Sequence, residues 1–386
     1  MKQYSLQFWL LFLSSFLFFM SFNMMIPELP SYLTRLGGES YKGLIISLFT
    51  LMAGLSRPIS GKLSDTIGRI PVMIFGASIC FIAGFFYPLV TTVTGFLILR
   101  FIHGMATGFK PTGTSAYVAD IVPASKRGEA MGIMGVALSF GMTVGPSIGS
   151  LITSVYSLDI MFYSSSFVSI FSILILIGMK ETIKSPQKLS WSLLKISPQD
   201  LFEPRVISPC IVMLLTIFPF GIVLTIIPDY SDYLGIANRG VFFSIFTFVS
   251  LIVRLIAGRV SDRFGRTIVL KASSLVLSLA MLAIGFSKTP TQFLAAAVLL
   301  GIATGMTAPS IFAWTIDLSH GNHRGKAMSS LYISLEIGIG LGALFSAWLY
   351  GNKPTMFVFV FGFGAVLAIL SFIYLQFSAM KIPKHQ

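Results

Sequence analysis

The chain has 386 residues, of which 55% are apolar, 13% aromatic and only 11% charged, a balance too apolar for one water-soluble domain, so the excess must face lipid. Its net charge of +13 is scattered through short segments between apolar stretches, which excludes the continuous basic face that a nucleic acid requires. Cys80 and Cys210 stand singly in apolar stretches, which excludes a disulfide framework or a metal-ligand spacing; both read as small packed hydrophobes.

Lys2 and the apolar run from Phe8 imitate a signal peptide, but the run is too long and no small-residue cleavage site follows, so it reads as the first span. Crossing about 30 Å of hydrocarbon takes roughly 20 helical residues. Stretches of that length predict spans at 7–31, 41–61, 70–90, 94–117, 130–152, 158–179, 206–228, 239–260, 267–286, 291–315, 326–350 and 354–380. The alternating ten-residue strands of a membrane barrel are absent. The predicted fold is therefore an all-α integral membrane protein with twelve transmembrane helices in two pseudo-symmetric six-helix bundles. Residues 1–180 form the N-terminal bundle, 181–205 a cytoplasmic linker and 206–386 the C-terminal bundle.

Lys and Arg collect on one side, with Lys2, Lys62, Arg69, Lys126, Arg127, the 180–205 segment, Arg259, Arg263, Arg266, Lys271, Arg324, Lys326, Lys381 and Lys384. The opposite side keeps Arg35, Lys42, Arg239, Lys288 and Lys353. The positive-inside rule then places both termini and the linker in the cytoplasm, in a bacterial inner membrane.

The halves align at one offset of 197: Arg57 with Arg254, Gly61 with Gly258, Asp65 with Asp262, Gly68 with Gly265, Arg69 with Arg266, Gly104 with Gly301, Asp120 with Asp317, Arg127 with Arg324, Gly141 with Gly338 and Gly145 with Gly342. A parallel repeat of six spans predicts a solute site between the halves near the midplane.

Between the second and third spans, Gly61-Lys62-Leu63-Ser64-Asp65-Thr66-Ile67-Gly68-Arg69 resembles the G-x-L-x-D-x-x-G-R loop of the major facilitator superfamily, and Gly258 to Arg266 repeats it. The glycines are expected to make a tight turn. The resemblance implies that Asp65 faces the start of the eleventh span near Gly325 to Met328, where a helix N-terminus favours a carboxylate. With Arg69 and Asp120 as charge partners it would latch the outward-facing state, and Asp262, Arg266 and Asp317 would mirror it. The alternative is that these charges only mark the interface and orient the chain.

Arg100-Phe101-Ile102-His103-Gly104 in the fourth span resembles the R-x-x-Q-G motif of proton-coupled exporters in that superfamily, with His103 for Gln. An arginine this deep is a functional candidate. His103 either titrates or stands in for Gln as a hydrogen-bonding group. In the fifth span, Gly141, Gly145, Pro146 and Gly149 resemble the antiporter motif G-x-x-x-G-P-x-x-G, with Ser150 where a second glycine is frequent. Glycines four apart make a groove for close helix packing and Pro146 bends the span, so the alternative is generic packing.

Glu336 lies ten residues into the eleventh span, about 15 Å deep at 1.5 Å per residue, which is roughly the midplane. It leads the candidates for proton coupling or solute contact, the alternative being a structural ion pair with a buried arginine. Glu28 and Asp229 sit near the outer ends of the first and seventh spans, where a solvated interfacial carboxylate is the plainer reading. Lys110 either faces the cavity or snorkels, and Arg57 and Arg254 are expected to snorkel or to bind nearby carbonyls.

Together these features imply a proton-coupled exporter of a small amphipathic or acidic solute, resembling the twelve-span bacterial drug:proton antiporters. Its expected partners are solute, protons and membrane lipids. A monomer with no cofactor, metal or nucleic acid is expected. No clustered catalytic acids or phosphate-binding glycine loop point to an enzyme. The rival readings are a proton-coupled importer of a sugar, amino acid or organic acid, and a lipid flippase or non-transporting sensor.

Overall fold

Helix is the regular structure available to a chain whose backbone must satisfy its own hydrogen bonds in lipid, and every regular element among the described residues is helical. The computed structural model describes residues 4–123, 127–183, 186–187, 202–319 and 324–378, without the side chains of 127–129, 324–326, 329 and 378. The side chains of Arg127 and Arg324, those of Gly325 and Lys326 ahead of Met328, and much of the predicted linker therefore lie outside the described residues.

The helices in chain order are α1 (Leu6–Met25), α2 (Leu29–Arg35), α3 (Lys42–Thr66), α4 (Arg69–Phe86), α5 (Val93–Ile121), α6 (Arg127–Val155), α7 (Leu158–Ile177), α8 (Ile207–Tyr233), α9 (Gly240–Phe264), α10 (Arg266–Gly285), α11 (Pro290–Leu318), α12 (Arg324–Tyr350) and α13 (Phe357–Ser378). Ser5, Thr92, Ser157 and Thr289 each accept a backbone N–H three residues on and so start α1, α5, α7 and α11. Thr92 and Thr289 are themselves 197 apart.

Eleven helices are long and apolar enough to cross a membrane among the described residues. The remaining long helix, α5, carries Arg100, His103, Lys110 and Asp120, which lower its mean hydropathy. The predicted first span is corrected: α1 ends at Met25, and α2 starts anew at Leu29 after a turn. Pro27 and Pro30 cause the break, since neither offers an N–H to the preceding turn.

The chain divides into two compact units, Met1–Gly38 with Leu48–Pro198, and Glu39–Ser47 with Gln199–Gln386; the division falls inside α3. In the first unit α1 packs on α6 and α7, and α4 on α5 and α7. The second repeats this with α8 on α12 and α13, and α10 on α11 and α13. Because lipid supplies no hydrophobic drive between helices, small polar residues join them. Ser14 pairs with Ser172 at 2.9 Å and Ser21 with Ser165 at 3.2 Å between α1 and α7, and Ser274 with Ser371 at 3.1 Å between α10 and α13.

Candidate functional site

The deepest charges of the first unit share one helix. Arg100, His103 and Lys110 of α5 are each no more than 1% exposed. Their positions in the repeat are taken by Ala297, Leu300 and Thr307 in α11, so this polarity belongs to one unit only. Spacing of three residues puts Arg100 and His103 on one helix face. Arg100 Nη1 lies 3.4 Å from His103 Nδ1, and the Tyr87 hydroxyl lies 3.3 Å from the same nitrogen. The Arg100 guanidinium carbon lies 4.2 Å from the Phe49 ring centroid and 5.8 Å from that of Phe22. A side chain at Gly104 would overlap the Phe49 carbonyl oxygen, so this glycine lets α3 come close enough to lay Phe49 over the arginine.

Lys110 does not snorkel; it is enclosed within the first unit. Its ammonium donates to Ser15 Oγ at 3.1 Å and Thr114 Oγ1 at 3.4 Å, with the Phe18 ring 5.8 Å away.

The glycines of α6 form its seam with α1. A Cβ at Gly141 would crowd Phe19 and Met20, at Gly145 the Met20 carbonyl, and at Gly149 it would overlap the Met24 carbonyl. Pro146 lies within α6 between these contacts. The seam ends where Ser150 Oγ donates to Glu28 Oε1 at 2.7 Å. Glu28 is 2% exposed, so the solvated interfacial reading is corrected: the break between α1 and α2 turns its side chain inward onto α6. In the second unit Gly338 and Gly342 of α12 seat α8 in the same way, against Ile217 and the Phe218 carbonyl.

At the α3–α4 turn, Arg69 holds Asp65 one helical turn before it and accepts a second partner from α5, with Nε 3.0 Å from Asp120 Oδ2. Arg266 repeats the arrangement with Asp262 and with Asp317 at 3.1 Å. The chain turns here on Gly68 and Gly265, with φ of 129° and 97°, a region open to glycine. Gly61 and Gly258 do not make the turn; they sit inside α3 and α9 with open space where a Cβ would be.

Glu181, after α7, caps α4 by accepting the N–H groups of Arg69 at 3.1 Å and Ile70 at 2.9 Å. Burial pushes its carboxyl up, but the four N–H groups of Ile183, Ile70, Arg69 and Thr182 outweigh that and hold it below the usual glutamate range.

In the second unit Asp229 is enclosed with Lys42: Nζ and Oδ2 are 2.5 Å apart, and the side chains are 10% and 13% exposed. This replaces the solvated reading of Asp229 with a shielded ion pair. Arg239 and Asp232 pair nearby at 2.5 Å. Gly43, next to Lys42, packs so tightly on α12 that a Cβ would lie 2.8 Å from both the Ala343 carbonyl oxygen and the Ala347 Cβ. Glu336 is 8% exposed in α12, twelve residues from its start, or about 18 Å along the axis.

Sequence reasoning missed Tyr87, Glu181 and the pairing of Lys42. Tyr87 sits in a 3₁₀ turn after α4, and nothing local connects it to α5. For Lys42 the partner is 187 residues away.

Among the described residues, no group of three or more His, Cys, Asp or Glu side chains could hold a metal ion. The arrangement offers buried ionisable side chains and close helix seams.

The family model described as Major Facilitator Superfamily matches residues 11–243 and 209–385. Multidrug resistance protein 1 of Bacillus subtilis is 24% identical over 96% of this chain and 95% of its own length. Multidrug resistance protein MdtG of Escherichia coli is 25% identical, over 96% and 94%. The crystal structure of a D-xylose–proton symporter superposes with a TM-score of 0.78, covering 95% of this chain and 96% of its own at 17% identity, a likeness of fold.

Proposed function

This chain belongs to the major facilitator superfamily, and from that premise we propose that it exports a small amphipathic or acidic solute in exchange for protons. It is a multi-pass membrane transporter and not an enzyme.

The observation that carries the export reading is the α1–α6 seam. Three glycines of the antiporter-like stretch seat α1, and the seam ends at the buried Glu28–Ser150 hydrogen bond. A carboxylate held at the end of a smooth helix contact can gain or lose a proton as that contact shifts. The relatives named multidrug resistance proteins support the same direction.

In this reading Glu336 exchanges the driving proton, with Glu28 and Asp229 as further carboxylates and Arg100 and Lys110 supplying the buried positive charge of the first unit. The Arg69 and Arg266 clusters serve as latches. Alternating access proceeds by rocking of two bundles, 1–180 and 206–386, joined by the 181–205 linker. Both termini face the cytoplasm of a bacterial inner membrane, and the working unit is a monomer.

Inside-out vesicles with an acidified lumen test the reading against a panel of lipophilic drugs and organic acids. The expected result is proton-gradient-driven uptake of at least one of them. Uptake driven only by acid on the outer face of right-side-out vesicles would make the chain an importer.

A further inference from the structure

We infer that His103 is a positioning residue that holds Arg100 through a bare Nδ1 acceptor, with its ring proton on Nε2, and that it does not carry the transported proton. The role rests on the proposed use of Arg100 in transport; the tautomer does not.

A guanidinium has N–H groups and no acceptor, so a hydrogen bond from Arg100 Nη1 to Nδ1 requires the lone pair there. The Tyr87 hydroxyl, at 3.3 Å, could accept from Nδ1 only if that nitrogen were protonated, which the arginine's donation excludes; it therefore donates to Nδ1 or accepts from Arg100, to which it is also hydrogen-bonded. Neither arrangement puts a proton on Nδ1. A neutral imidazole then carries its proton on Nε2, which is buried and finds no hydrogen-bond partner among the described residues.

The ring is also fixed. Phe22 and Phe49 meet it edge-on, with centroids 5.9 and 5.5 Å away and interplanar angles of 83° and 85°. The same two rings flank the guanidinium, so arginine and histidine share one aromatic enclosure. A proton arriving at Nδ1 would turn the only acceptor on the ring into a donor facing a cation, and Arg100 would lose its seat. A relay group needs a nitrogen that can be reached and released; this one is committed.

The charged and titratable groups around the Arg100–His103 pair, among the described residues, are Tyr87 after α4 and the buried thiol Cys80 within α4. From α1 and α3 it is faced by the neutral Phe22 and Phe49.

The chain has four histidines, so ¹⁵N-histidine labelling of the purified full-length protein, with His103→Gln to assign the resonance, reads the tautomer directly. We expect Nδ1 at the shift of a non-protonated ring nitrogen and Nε2 at that of a protonated one; a proton found on Nδ1 overturns the inference. His103→Gln keeps an acceptor and is expected to retain drug-panel transport within about twofold, with the pH profile unchanged. His103→Leu, which has none, is expected to lose about tenfold or more, roughly the weight of one buried charge-assisted hydrogen bond. Loss of proton-driven transport in a folded His103→Gln would also overturn it. Should the chain prove to transport without protons, the ring-nitrogen spectrum and the slow-exchanging Arg100 guanidinium resonances, kept in His103→Gln and lost in His103→Leu, still decide the positioning role.

Discussion

Ser150 Oγ donates a 2.7 Å hydrogen bond to Glu28 Oε1, and both residues are 2% exposed, so α6 is tied to the turn that follows α1. A buried hydrogen bond to a carboxylate contributes about 1.5–3 kcal/mol. Ser150→Ala is therefore expected to lower the melting temperature in detergent and to weaken solute-induced proton release. A variant that melts like the wild type would show that Glu28 keeps its place without α6.

The seam leading to that bond leaves no room for a methyl group at Gly149, where a Cβ overlaps the Met24 carbonyl oxygen. Backbone cannot yield as a flexible side chain does, so Gly149→Ala must push α1 and α6 apart at a cost of about 1–3 kcal/mol. Gly135, on the same helix, has open space at the corresponding point and serves as the control. Helix content is expected to survive both changes, while transport falls only in Gly149→Ala. Equal transport in the two would remove the seam from the mechanism.

The carboxyl of Glu181 is held below its unfolded value by four backbone donors. The stability it contributes is present above the unfolded glutamate pKa of about 4.3 and is lost as pH falls through the lower folded value. Glu181→Gln should thus be less stable than the wild type at neutral pH. That difference should shrink as the solution is acidified through the carboxylate range, as followed by thermal melts. A difference independent of pH would contradict the assignment.

Lys42 and Asp229 form a shielded pair, and removing one member leaves the other without its counter-charge. Breaking such a pair costs about 3–5 kcal/mol, whereas replacing both members with apolar groups costs far less. Asp229→Leu and Lys42→Met should each destabilise more than the two combined. A double-mutant cycle in which the single effects simply add would mean the two charges are not coupled.

Much of the fold could be read from the chain because the offset of 197 carries helix starts, glycine seams and charge clusters together. Thr92 and Thr289, Gly104 and Gly301, and Arg69 and Arg266 each do the same local work in their own unit. The charges of α5 were legible as candidates for the same reason that its hydropathy is low: an arginine, a histidine and a lysine within one span are costly and rarely idle.

What the chain could not reveal was direction. Glu28 looked interfacial because Pro27 and Pro30 mark a helix end, yet that break turns the side chain inward. Lys110 found hydroxyls on α1 and α5 through tertiary packing that no local pattern encodes. Gly61 and Gly68 look alike within one motif, but only Gly68 bears the positive φ.

In the proposed mechanism, export is coupled to protons through Glu336. Its most direct test is solute-induced proton release from purified, detergent-solubilised protein across drugs and organic acids, comparing wild type with Glu336→Gln. Release is expected from the wild type and is expected to vanish in a folded Glu336→Gln. Unchanged release in that variant would contradict it and move the coupling to Glu28 or Asp229.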